Sequence, residues 1–95
     1  MARPTLVTDK TAAHWFTAHP QWRRRKDTIA RTFKFADFSG ALAFVVRVGL
    51  VAEKHDHHPE IAFTWGRVRV SWTTHVPTGL STLDLKLAEA SDALV

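Results

Sequence analysis

Four of the six histidines lie between positions 55 and 75, and two of them stand side by side. His57 and His58 are followed by Pro59, and His75 closes a run of alternating polar and apolar residues. Because an unperturbed imidazole titrates near neutral pH, such a cluster indicates proton transfer or metal ligation. Pro59 restricts its own backbone and that of His58. The sequence therefore predicts imidazoles held in fixed positions, which general acid–base catalysis requires.

Zinc binding is the alternative use of these histidines, because three imidazoles and a water molecule form a common catalytic zinc site. The candidate ligands would be His57, His58 and His75. Adjacent residues on extended backbone point to opposite sides, so His57 and His58 would share an ion only across a turn. We therefore expect no metal at this site. The other histidines are interpreted as surface residues: His14, His19 and His55.

The size and composition of the chain fit one small domain over residues 1–95. It has 95 residues, 45% of them hydrophobic, and no cysteine, so disulfides and thiolate chemistry are excluded. Chains this short have modest stability and many gain more by association. No segment resembles a signal peptide or is apolar enough to span a membrane. We expect a cytoplasmic protein with no membrane partner.

Much of the net charge of +4 comes from the basic run at residues 23–26. Such a run can bind phosphate or nucleic acid, although exposed lysine and arginine are common on any protein surface. The sequence has no nucleic-acid reading motif and no aromatic platform recognisable beside the run. We therefore do not expect nucleic acid as a partner.

The N-terminal part of the chain predicts one short helix. Residues 1–7 show no periodicity, and we expect them to form a loosely held terminus. Thr8 or Asp9 can cap the helix, and Pro20 should end it at His19.

Two strands should follow this helix. An extended segment begins at Trp22 and turns near Lys26 and Asp27. Residues 28–35 then alternate between two faces, as in a half-buried strand.

The middle helix is predicted to run from a cap at Asp37 or Ser39 to about Lys54. Its apolar face is broader than packing on one sheet requires, which makes it a candidate surface for association. The helix places Glu53 in its last turn, where a carboxylate is mildly unfavourable. A functional role for Glu53 would explain this placement.

The C-terminal part predicts two further strands and a helix. Residues 61–64 and 67–75 read as strands joined at Gly66, which could supply a positive φ. On the second strand His75 falls on the polar face, away from the helices. Ser81 and Asp84 form a capping box for the last helix.

This order of elements, α-β-β-α-β-β-α, predicts an α+β fold. A four-stranded antiparallel sheet would carry three helices on one face. The opposite face would then carry the polar row of the last strand and could line a site.

An ordered set of residues across the second half of the chain resembles the pterin-4a-carbinolamine dehydratase family. It comprises Glu53, His57, His58, Pro59, Trp65, His75 and Asp84. The surrounding segments agree as well, at residues 33–38, 52–54, 74–75 and 79–81. The resemblance covers roughly residues 20–94, and so many anchors at compatible spacings argue against chance.

The resemblance implies a 4a-hydroxytetrahydrobiopterin dehydratase. Such enzymes remove water from a 4a-hydroxytetrahydropterin to give a quinonoid dihydropterin, which is recycled for aromatic amino-acid hydroxylases. The leaving hydroxyl needs a proton and a ring nitrogen must lose one, so imidazoles suffice and we expect no cofactor. Carried over by position, either His57 or His75 protonates the hydroxyl, and His58 takes the ring proton.

The resemblance also assigns supporting roles to neighbouring residues. Glu53 and Asp84 would orient the imidazoles or favour their protonated form, although helix capping explains Asp84 equally well.

The resemblance further implies the residues that bind the substrate. The backbone at Asp56, Thr73 and Thr74 would bind the amide-like edge of the pterin. Trp65 could wall the ring, although packing is the commoner role of tryptophan.

The alternative function is a binding module. Members of the family are known as dimerisation cofactors of a homeodomain transcription factor, and they act through a helical surface. The apolar face of the middle helix would serve that association, or self-association into a homodimer or homotetramer.

Overall fold

The computed structural model describes residues 3–95. In chain order the elements are α1 (Asp9–Ala18), β1 (Arg23–Arg25), β2 (Thr28–Lys34), α2 (Phe38–His55), β3 (Glu60–Thr64), β4 (Arg67–Trp72), β5 (Thr74–His75), β6 (Thr78–Gly79) and α3 (Thr82–Asp92).

Four of the strands form one antiparallel sheet in the order β1-β2-β4-β3, with the helices on one face. β4 is central and pairs with β2 on one side and β3 on the other. The register places Ile29 opposite Trp72 and Ile61 opposite Val70, so one face of the sheet is apolar. The predicted fold class and element order are confirmed.

The core lies between this apolar face and the helices. From the sheet, Ile29, Val70 and Trp72 are fully buried, and α2 contributes Phe44 and Val48. Burying each of these side chains contributes roughly 1.5–3 kcal/mol, and packing of this face holds α2 on the sheet.

Side-chain caps begin all three helices where the sequence predicts them. Thr8 accepts the N–H of Thr11, and Asp37 accepts the N–H of Gly40 at 2.7 Å. At the start of α3, the capping box of Ser81 and Asp84 is formed.

The predicted strand over residues 67–75 is wrong at its end. β4 stops at Trp72, whose partner Ile29 is the last β2 residue in that ladder. The first residue of β2, Thr28, has no partner on β4, and the chain leaves the sheet at Thr73. Thr74 and His75 pair instead with Thr78 and Gly79 as a separate two-stranded ribbon.

The expected positive φ at Gly66 is also wrong. Within the described residues the only glycine with positive φ is Gly79, at 148°. Gly66 instead allows a close approach, because its carbonyl accepts the N–H of Phe35 at 2.8 Å. A Cβ at Gly66 would stand 3.2 Å from the carbonyl oxygen of Phe35.

The prediction of a loosely held terminus over residues 1–7 is wrong for residues 5–7. The N–H of Val7 donates to the carbonyl of Leu80 at 2.9 Å, and the carbonyl of Thr5 accepts from Thr82 at 2.8 Å. Backbone pairing of this kind ties the segment to the start of α3. Met1 and Ala2 lie outside the described residues.

Candidate active site

The C-terminal end of α2 aims the paired histidines. Asp56 adopts a left-handed conformation (φ 49°, ψ 44°), and its N–H donates to Glu53 at 3.1 Å. The N–H of His57 reaches back to the carbonyl of Ala52 at 3.1 Å. These two hydrogen bonds form a Schellman motif, which reverses the chain and satisfies the last carbonyls of the helix.

This reversal places the histidines in one hollow, with a volume of about 430 Å³. Its walls come from the end of α2, the following loop, the β4–β5 junction, the N-terminal segment and α3. The lining residues are Pro4, His55, Asp56, His57, His58, Thr73, Thr74, His75, Val76 and Leu83. The structure thus brings together all three predicted catalytic imidazoles.

His57 is held by the carboxylate of Asp84. The Nε2 of His57 lies 2.6 Å from Oδ1 of Asp84, whose side chain is completely buried. A carboxylate has no hydrogen to donate, so Nε2 carries the proton and Nδ1 remains for a ligand. Trp72 stacks on the imidazole, with ring centroids 5.9 Å apart and planes within 6°. With 12% of its side chain exposed, His57 is held from two directions.

The other oxygen of Asp84 is fully used inside the protein. Its Oδ2 accepts from the hydroxyl of Thr74 at 2.7 Å and from the backbone N–H of Ser81 at 2.8 Å. These hydrogen bonds fix the plane of the carboxylate. The fixed carboxylate in turn sets the orientation of the imidazole of His57.

His58 and Glu53 form a second, more exposed pair. The Nε2 of His58 lies 2.7 Å from Oε1 of Glu53, and both side chains are more than half exposed. Solvent weakens such a pair, so it orients the imidazole less firmly than a buried carboxylate would.

His75 approaches from the β5–β6 ribbon. Its carbonyl accepts the hydroxyl of Thr78 at 2.9 Å, which fixes the turn beside it. Within residues 3–95 its imidazole has no hydrogen-bond partner, so both ring nitrogens are available to a ligand.

The two threonines at the β4–β5 junction use their side chains for structure. The hydroxyl of Thr73 donates to the carbonyl of Asp27, and that of Thr74 donates to Asp84. Their contribution to a ligand would therefore come from the backbone, as expected from the sequence.

Known proteins resemble this chain in sequence. The family described as pterin 4 alpha carbinolamine dehydratase matches residues 5–94. The chain belongs to this family. A relative from Rhizorhabdus wittichii, whose name gives it provisionally as a pterin-4-alpha-carbinolamine dehydratase, is 49% identical over 93% of each chain. A relative from Prochlorococcus marinus with the same provisional name is 42% identical over 96% of each chain.

Solved structures agree with this family membership. A transcriptional coactivator/pterin dehydratase from Brucella melitensis superposes with a TM-score of 0.89 at 36% identity, covering 95% of this chain and 98% of that one. A pterin dehydratase-like protein identified as a RuBisCO assembly factor of the alpha-carboxysome shares the fold. Its TM-score is 0.67 at 22% identity, covering 78% of this chain and 88% of that one.

Three predicted site residues of this pterin dehydratase family member do not line the hollow: Glu53 and Asp84, whose carboxylates bond to histidines that do, and Trp65. β3 begins beside the histidines at Glu60 and ends at Thr64, roughly 15 Å further along the strand. Trp65 stands at that far end, 67% exposed, beside Lys34 and Arg67. Trp65 therefore does not line the hollow within one chain, and its contact with the substrate stays a prediction.

Four residues that line the hollow were not predicted from the sequence. His55, interpreted as a surface histidine, is half-buried there, and its Nδ1 lies 3.0 Å from the carbonyl of Val51. Its position one residue before the left-handed turn was the available signal. Pro4 could not be found from sequence, because its placement depends on pairing of the N-terminal segment with α3. The other two are Val76 and Leu83.

Two further observations concern metal and membrane. Among residues 3–95, no three histidine, aspartate or glutamate side chains are grouped as metal ligands would be. In the same part of the chain, no helix has the length and apolar character needed to cross a lipid bilayer.

Proposed function

We propose that this chain is a 4a-hydroxytetrahydropterin dehydratase that works by histidine acid–base catalysis. In the reaction the C4a–O bond breaks and the leaving hydroxide takes a proton to become water. A ring N–H gives up its proton, and the electron pair left on nitrogen completes the quinonoid dihydropterin. Two imidazoles, one protonated and one neutral, balance these transfers.

The buried pair of His57 and Asp84 is the observation that carries this proposal. A carboxylate that accepts from Nε2 fixes the orientation of the ring, so that His57 in its protonated form can present Nδ1–H to a ligand. Trp72 prevents the ring from turning away. We therefore assign protonation of the leaving hydroxyl to His57, with His75 as the other candidate.

His58 is the proposed base for the ring proton. It follows His57 directly and lines the same hollow, and its Nε2 is occupied by Glu53. The nitrogen left for the substrate is Nδ1. His75 has both nitrogens available and would bind the departing oxygen from the opposite wall.

The hollow suits a flat two-ring substrate. Its volume of about 430 Å³ lies in the range of small-molecule sites. Backbone groups at Asp56, Thr73 and Thr74 would pair with the amide-like edge of the pterin, because their side chains are exposed or already bonded. The proposed setting is tetrahydrobiopterin recycling for aromatic amino-acid hydroxylases in the cytoplasm, which suits a chain without cysteine.

The test follows the spontaneous dehydration of fresh 4a-hydroxytetrahydropterin with and without the protein. We expect clear acceleration, which should fall about 100-fold or more in His57→Ala and in His75→Ala. His14→Ala, an exposed histidine of α1, is the matched control and should keep the full rate. No acceleration by the unaltered chain would remove the proposal.

A second proposed function is association through α2. Four large apolar side chains of this helix are 44–67% exposed and spaced every four residues, which places them in one stripe. They are Phe38, Leu42, Val46 and Leu50. Because a stripe of this kind is self-complementary, we propose a second copy of the chain as its partner, giving a homodimer or homotetramer.

A further inference from the structure

The sheet face that points away from the helices is open and basic. The strand registers assign its side chains: Arg23 lies opposite Ala30, Thr32 opposite Arg69, and Lys34 opposite Arg67. Residues directly opposite in an antiparallel pair point to the same side. The cations on this outer face are Arg23, Arg25, Lys34, Arg67 and Arg69.

These cations are not neutralised within the protein. In the described part of the chain none of the five forms an ion pair. By contrast, Arg24 and Arg31 point to the helix side and pair with Asp9 and Asp92 respectively. The outer face carries one carboxylate, Glu60, and a second borders it at Asp27. The charge on this face therefore has no internal counterpart and attracts anions.

This arrangement of cations lowers the stability of the folded protein when no ligand is bound. Lys34 and Arg67 stand directly opposite each other, and like charges in that relation destabilise a sheet. A bound phosphate would remove this repulsion, because it would place an anion between the two cations.

Small side chains between the cations leave room for a ligand. The floor includes Ala30, Thr32 and Ser71, under a hollow of about 930 Å³. A further hollow of about 210 Å³ continues past Arg69 to Ala62 on β3. The two hollows meet at Arg69 and Ser71 and together form a groove across the sheet from β1 to β3.

An exposed aromatic ring stands at the end of this face. Trp65, at the β3–β4 turn, is 67% exposed and shares a hollow of about 470 Å³ with Lys34 and Arg67. An indole flanked by two cations is the arrangement that stacks on an unpaired base and holds its phosphates. No such platform is recognisable in the sequence beside the basic run, and the β3–β4 hairpin supplies one.

We propose that the outer face of the sheet binds single-stranded nucleic acid. Phosphates would contact Arg23, Arg25 and Arg69 along the groove, and a base would stack on Trp65 between Lys34 and Arg67. Stacking requires an unpaired base, which favours a single strand over a duplex. A second copy is a poor occupant, because five cations would face five. The proposal is independent of the dehydratase activity, whose hollow shares no lining residue with this face.

The test measures fluorescence anisotropy of a labelled oligothymidylate of about 16 nucleotides titrated with the full chain at about 50 mM salt. The double variant Lys34→Gln/Arg67→Gln should weaken binding at least tenfold. The matched control is Arg47→Gln/Lys86→Gln, which removes the same charge from exposed positions on α2 and α3 and should change affinity less than threefold. Because each neutralised phosphate contributes about 0.7 to the salt slope, the first variant should lower that slope by about 0.7, for the one phosphate held between Lys34 and Arg67.

Trp65→Ala provides the second arm, and should weaken binding about fivefold or more with quenching of tryptophan emission lost. Thermal melts of both variants establish that they fold, and removing the Lys34–Arg67 repulsion should not lower stability. Any of four results overturns the proposal: no binding up to about 100 µM protein, equal losses in both double variants, unchanged affinity of Trp65→Ala, or tighter binding of a duplex or an oligoglutamate peptide.

Discussion

Asp84 performs two tasks with its two carboxylate oxygens. Oδ2 caps α3 through the backbone N–H of Ser81, and Oδ1 holds the imidazole of His57. The side chain is completely buried, and its other partner is the hydroxyl of Thr74. Helix capping and imidazole orientation are therefore not alternatives at this position, and a substitution here should affect both stability and activity.

Asp84→Asn should separate these two tasks. The amide keeps the size of the side chain and one acceptor oxygen for the cap, but it no longer supplies the second oxygen that accepts the Nε2–H of His57. We expect the dehydration rate to fall about 100-fold or more. Asp37→Ala is the matched control, because it removes a helix cap far from the hollow and should cost about 1 kcal/mol in urea unfolding without loss of rate. An unchanged rate in Asp84→Asn would contradict the proposed role.

Glu53→Gln should have a much smaller effect than Asp84→Asn. The pair of Glu53 and His58 is exposed, and exposed pairs contribute at most about 1 kcal/mol. We expect a loss in rate of less than about fivefold, measured in the same dehydration assay. A loss as large as that of Asp84→Asn would show that Glu53 acts directly on the substrate.

At the scale of elements, the last turn of α2 decides where the proposed catalytic side chains His57 and His58 point. The Schellman motif requires a left-handed residue at Asp56, where glycine is the usual choice. An aspartate tolerates this conformation better than most residues but still stores strain there. The chain accepts this strain in the segment that turns His57 back towards α3.

Asp56→Gly should therefore stabilise the protein. Relief of the left-handed strain is expected to raise the free energy of unfolding by about 1 kcal/mol in urea titrations. Lys26→Gly is the parallel case, because Lys26 also has a positive φ, of 55°, in the β1–β2 turn away from the hollow. A decrease in stability for Asp56→Gly alone would mean that its side chain makes a favourable contact that outweighs the strain.

At the scale of the whole molecule, the exposed apolar stripe on α2 is a candidate surface for association. The opposite face of the same helix is buried in the core through Ala41, Phe44 and Val48. Four exposed large apolar side chains in one row form a patch of the kind found at protein interfaces.

Leu50→Glu should reduce the molar mass measured by light scattering. The unaltered chain is expected as a dimer or tetramer, and a buried charge at the stripe would disfavour that contact. Arg47→Glu, on the same helix but outside the stripe, is the control and should leave the mass unchanged. A strict monomer at every concentration of the unaltered chain would refute association through α2.

Local patterns in the sequence were sufficient to predict most of the helices and strands. The alternation of β2, the capping box of Ser81 and Asp84, and the cap at Asp37 all depend on residues a few positions apart. Such signals are contained in the segment itself, because strand and helix periods and caps are short-range. For the same reason the set of three histidines could be proposed before any fold was known.

The tertiary structure decided what these elements bring together. β4 ends at Trp72, and His75 reaches the hollow on a separate ribbon. Sheet register carries Trp65 away from the histidines and towards Lys34 and Arg67, although Trp65 is much closer to His58 in sequence than Asp84 is. Distances between distant segments depend on pairing partners and on the direction of turns, and no short stretch of sequence contains either.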